Sequence, residues 1–127
     1  MRPVLTPRRS ALAVAFLLMG GVLTSCGGKN ETPVAGADPD RGRGVIVGYG
    51  CGACHVIQAI PEANGTVGPS LASYSQRRYV AGELPNTIEN TVRWIMNPPE
   101  VHPETVMPDL GLTERQARDV AAYLYRH

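Results

Sequence analysis

The sequence predicts an all-α domain built from three main helices and long irregular connections. Three observations carry that prediction. Apolar residues recur at helical spacing behind recognisable helix starts in three segments, no stretch alternates long enough to build a sheet, and residues 56–70 and 98–112 are punctuated by Pro and Gly. Loops of that length in a compact domain usually have something to wrap.

The chain has 127 residues, enough for one domain, and its beginning does not read as domain sequence. Met1 to Ser10 hold Arg2, Arg8 and Arg9 and no acid, and an uncharged apolar run follows from Ala11 to Leu23. These are the n- and h-regions of an export signal, too short for a permanent membrane span. The run closes on Leu23-Thr24-Ser25-Cys26, which is similar to the lipobox of bacterial lipoproteins. The expectation is a signal peptide over 1–25, cleavage before Cys26, and lipid on the Cys26 thiol. An ordinary cleavage site beside a chance cysteine is the rival reading. Residues 26–37 then form a flexible tether with little to bury, whose typical reach is roughly 18 Å.

The domain proper is expected at 38–127. Asp38-Pro39 reads as an N-cap with proline in the first helical turn, opening a helix to about Tyr49. Its glycines, Gly42, Gly44 and Gly48, each disfavour helix by about 1 kcal/mol relative to alanine, so close approach of another helix is expected there. Asn86-Thr87-Ile88-Glu89 reads as a capping box, followed by Ile88, Val92, Ile95 and Met96 at helical spacing until Asn97-Pro98-Pro99 stops the run. A second box, Thr113 to Gln116, opens the last helix, whose Ala117, Val120, Ala121 and Leu124 form one stripe.

A domain of this size struggles to fill a core from side chains alone, and this one has no Phe, the single Phe16 lying in the signal. A large buried cofactor would supply the missing volume. With the signal removed, nine basic residues face eleven acidic ones, a formal −2 that gives no support to nucleic-acid binding.

Cys51-Gly52-Ala53-Cys54-His55 is a C-x-x-C-H haem attachment pattern. Two thiols bond to the porphyrin edge and the adjacent imidazole ligates iron, so all three must reach one ring from one tight turn. A thioredoxin-like C-x-x-C would need a βαβ setting, and zinc would need a fourth ligand beside the three in this segment. Lipid on Cys26 and haem on Cys51 and Cys54 would also leave no unpaired cysteine in an oxidising compartment.

In order along the chain, the motif is followed by Gly65-Thr66-Val67-Gly68-Pro69-Ser70-Leu71, Trp94-Ile95-Met96-Asn97-Pro98, Met107-Pro108-Asp109-Leu110 and Ala121-Ala122-Tyr123-Leu124. This succession resembles the class I cytochromes c over nearly all of 38–127. The resemblance implies a cytochrome c fold wrapped around one covalent haem c. It also implies that the Pro69 carbonyl accepts a hydrogen bond from His55, that the first and last helices cross near Gly44 and Tyr123, and that the Trp94 indole lies near a haem propionate.

For the second axial ligand Met107 is the candidate, on a loop stiffened by Pro108 and its neighbours. Met96 shares the face of Ile88, Val92 and Ile95 and reads as core. His102 is a possible nitrogen ligand in the Met107 loop, and His127 is the chain end. Arg77 and Arg78 could neutralise a propionate or simply face solvent.

The functional expectation is a one-electron carrier, not an enzyme, on the periplasmic side of a bacterial membrane. The resemblance implies a dehydrogenase as donor and a terminal oxidase as acceptor. The rivals are a haem peroxidase or gas sensor in which Met107 leaves the iron, and a structural lipoprotein without haem.

Overall fold

The computed structural model describes residues 34–127; the expected signal peptide and Cys26 lie outside the described residues. Four helices follow one another: α1 (Pro39–Gly48), α2 (Ile88–Met96), α3 (Pro98–Val101) and α4 (Glu114–Arg126). They carry an all-α fold.

Each helix start has a physical cause. The Asp38 carboxylate accepts the backbone N–H groups of Asp40 and Arg41, and Pro39 supplies a fixed first turn. At α4, Thr113 and Gln116 close the expected reciprocal capping box. At α2 the cap is one residue later than the sequence suggested: Thr87, not Asn86, accepts the Asn90 N–H. Asn86 is engaged elsewhere, its side-chain amide donating to the carbonyls of Tyr74 and Arg77.

A short helix and a strand pair were not expected. Pro98 and Pro99 end α2, yet proline also suits a first helical turn, and the chain restarts at once as α3 with Pro98 fully buried. Strands β1 (Tyr79–Val80) and β2 (Leu84–Pro85) pair antiparallel, too short for any alternation to show. Their turn places Ala81 and Gly82 at positive φ.

Packing of α1 against α4 is the most extensive contact between helices, and α2 packs on α4. The core consists of Ile46 from α1, Val92 and Ile95 from α2, Ala117, Val120, Ala121, Tyr123 and Leu124 from α4, and Ile57, Ile60 and Tyr74 from the loops. The helix crossing falls on Gly42 and not Gly44: a Cβ on Gly42 would run into the Asp119 carbonyl, whereas Gly44 has nothing within 4 Å. Asp119 fixes the same crossing. Its buried carboxylate accepts the Asp38 N–H at 2.7 Å and a two-pronged bond from Arg41, 2.9 Å on each prong.

The core also takes in Val34, which composition assigned to the tether. Gly36 at φ 72° and the Ala37 N–H to Val34 carbonyl bond reverse the chain, so that Val34 is only 1% exposed.

Candidate functional site

The end of α1 delivers the chemistry-bearing residues. Gly50 takes a left-handed conformation that turns the chain into a tight 3-10 turn, Cys51–Ala53. The N–H groups of Cys54 and His55 both donate to the Cys51 carbonyl. One turn thus directs Cys51, Cys54 and His55 at a single cavity. Burial pushes the Cys51 thiol above its ordinary pKa, so it is a neutral thiol at neutral pH. The two cysteines are not joined in a disulfide.

His55 is oriented from behind. Its Nδ1 lies 2.7 Å from the Pro69 carbonyl oxygen, which can only accept, so Nδ1 carries a proton and the neutral ring presents its lone pair at Nε2. Gly68 makes this possible, because a Cβ there would overlap the imidazole. The loop is held in place by the Gly68 N–H on the Cys54 carbonyl and the Leu71 N–H on the Val56 carbonyl.

Met107 lines the same cavity and is half-buried. Its N–H donates to the Thr105 hydroxyl at 3.1 Å, which shapes the loop that carries it. Trp94, half-buried on α2, and Arg77 also line the cavity; the Arg77 guanidinium sits 5.5 Å from the centre of the Tyr74 ring. Arg78 is exposed and not part of the lining.

The other candidates lie elsewhere. Met96 packs on the core. His102 faces Glu83, with Nδ1 2.6 Å from the carboxylate, and is absent from the cavity wall. His127 stacks on Tyr123 with ring centres 4.5 Å apart.

Sequence reasoning missed a polar cluster behind the cavity wall. The Tyr74 hydroxyl lies 3.1 Å from that of the fully buried Thr91, which also meets Asn86 and Tyr125, and Tyr125 donates to Asn86 at 2.8 Å. Burial pushes the Tyr74 phenol up to about 12, against the smaller opposing effect of its bond to Thr91. It therefore stays protonated and in the network. Of these residues only Asn86 falls in a motif, and there it reads as a helix cap rather than as part of a buried network. Around the cavity mouth Val67, Tyr79 and Val106 are 71%, 57% and 83% exposed, an apolar rim in which Arg77 is the one Lys, Arg, Asp or Glu among the described residues that line the cavity.

Comparison with known proteins finds the cytochrome c family model matched over residues 39–126. This chain belongs to the cytochrome c family. It is also 30% identical over 86 residues to cytochrome c oxidase subunit 2 of Alkalihalophilus pseudofirmus. That match covers 67% of this chain and 24% of the oxidase subunit, so the chain spans about a quarter of that relative.

A cytochrome c domain implies haem c and electron transfer, and the cavity fits that group. Two thiols, an imidazole with a free Nε2 and a thioether share one mostly apolar wall, and Gly68 leaves the imidazole the room it needs. Cys51, Cys54, His55 and Met107 are the residues that would hold it.

Proposed function

We propose that this cytochrome is a one-electron carrier in which a single haem is attached through Cys51 and Cys54 and ligated by His55 and Met107. The observation that carries the reading is the convergence of those four side chains on one cavity. The haem supplies one-electron iron chemistry. The protein's part would be to offer His55 and Met107 to the iron, keep water away, and set ligand strength. The Pro69 carbonyl makes His55 a stronger donor by its bond to Nδ1, and the Met107 thioether favours the reduced state. No carboxylate lines the cavity among the described residues, and His102 is turned to Glu83, which favours a carrier over a peroxidase or gas sensor.

The partners follow from chemistry and similarity. The apolar rim is the face offered to redox proteins, and likeness to part of an oxidase subunit supports a terminal oxidase as acceptor, while a dehydrogenase as donor rests on the family resemblance alone. Among the described residues no helix is long and apolar enough to cross a membrane. Attachment to the periplasmic face of a membrane would come from lipid on Cys26.

Optical spectra of the exported protein test the reading. Low-spin c-type bands, haem that stays on the chain under denaturing electrophoresis, and the weak far-red band of methionine sulfur on ferric haem are expected. Met107→Ala should remove that band and lower the potential while the haem stays attached. An unchanged spectrum in this variant would exclude Met107 as ligand.

A further inference from the structure

The stretch that carries Met107 is lightly held. Pro98 is fully buried at one end and Leu112 at the other, and between them residues 99–111 contain no buried residue. Within the stretch the hydrogen bonds are local: the His102 N–H to the Pro98 carbonyl, the Thr105 N–H to the His102 carbonyl, the Met107 N–H to the Thr105 hydroxyl and the Gly111 N–H to the Asp109 carboxylate. Near its start, Glu100 is tied to Arg93 and Asn97 of the preceding helix region. Beyond Glu100, among the described residues, the bond that reaches a distant element is the one from His102 to Glu83, 2.6 Å long and spanning 19 positions.

Both ends of that bond sit beside the cavity. Glu83 follows Ala81 and Gly82, which line it from the β1–β2 turn, and its own N–H closes that turn on the Val80 carbonyl. His102 begins the run of bonds that ends at Met107. The geometry points to the Glu83–His102 pair as a clasp that fastens the Met107 loop to the hairpin and so positions Met107. This deepens the reading of Met107 as axial ligand and rests on it. The imidazole donates from Nδ1 to a carboxylate, so the clasp closes with the ring neutral or charged, and a side-chain amide in place of Glu83 preserves an accepting oxygen.

The pair is an exposed one, 40% and 50% accessible, which sets a modest scale for its effect. Imidazole displacing methionine from the ferric holoprotein, followed by decay of the far-red band, reads how often the loop opens. Glu83→Ala and His102→Ala should each speed this about two- to five-fold. The double variant should be no faster than either alone, and Glu83→Gln should stay near the unmodified rate. Single variants at the unmodified rate, or effects that multiply in the double variant, would overturn the clasp. Amide hydrogen exchange at Thr105 and Met107 provides a readout independent of the iron. Faster exchange is expected in both alanine variants, and unaltered exchange sinks the inference. Should the far-red band be missing from the unmodified protein, the ligand reading fails by itself, and exchange at these two amides still decides whether the clasp exists.

Discussion

At Gly68 the chain has no room for a methyl group, because the His55 ring occupies the space a Cβ would need. Gly68→Ala should push the imidazole off the Pro69 carbonyl and destabilise the holoprotein by about 1–3 kcal/mol, the usual penalty of overpacking. Thermal unfolding measures the loss, and a changed c-type spectrum would show that the ring has moved. The cysteines and His55 were legible because their spacing is contiguous and their chemistry demands it. The need for Gly68 was not, since it arises where a loop 13 residues on from His55 folds back against it. Asp119 was equally hidden, since it lies off the apolar stripe and only the crossing of α1 shows why an acid is buried there. Burial alone would raise its pKa, but the bonds from Arg41 and the Asp38 N–H outweigh that and hold it below the ordinary value. A depressed carboxylate pKa adds stability that is present above about pH 4 and is lost as pH falls through the folded-state pKa. Asp119→Asn should therefore be less stable than the unmodified protein at pH 7, with the gap narrowing below pH 4. Denaturant titrations at a series of pH values check the sign.

The helices show which signals act locally and which need a partner. Thr113 and Gln116 cap α4 reciprocally, as a pair three positions apart in the chain can. At α2 the same logic misplaced the cap by one residue, because Asn86 makes its bonds to the loop carbonyls of Tyr74 and Arg77 and leaves Thr87 to cap. The glycines of α1 announced a close crossing, but one-dimensional spacing could not say which glycine faces α4. Register decides: Gly42 meets the Asp119 carbonyl and Gly44 meets nothing. The two positions should respond with opposite sign. Gly42→Ala forces the helices apart and should lower stability by about 1–3 kcal/mol. Gly44→Ala adds helix propensity without a clash and should raise it by up to about 1 kcal/mol. For a domain of this size each kcal/mol is roughly 4–8 °C in Tm, so paired melts resolve both directions.

Across the whole molecule, the loops that were unreadable as secondary structure are the ones that form the cavity. Their missing periodicity is the physical consequence of packing against something other than a helix. The same architecture leaves Val67, Tyr79 and Val106 exposed around the mouth, with little charge among the residues that line it. Charge-steered docking speeds association and makes it fall steeply with ionic strength, whereas apolar docking is nearly indifferent to salt. The nine basic and eleven acidic residues of positions 26–127 give the first mode little net charge to work with. Oxidation of the reduced protein by the proposed oxidase acceptor should then change by less than about two-fold between low and physiological salt, where screening length shortens severalfold. Val106→Glu tests the face directly. Val106 is 83% exposed, so the variant should fold, with its potential measured in parallel to separate any effect of a charge beside Met107 from lost docking, which would bury an unpaired carboxylate. That costs more than about 1 kcal/mol, and the oxidase kcat/KM should drop at least about five-fold. A steep salt dependence together with an indifferent Val106→Glu would move the docking site off this rim and onto a charged face of the domain.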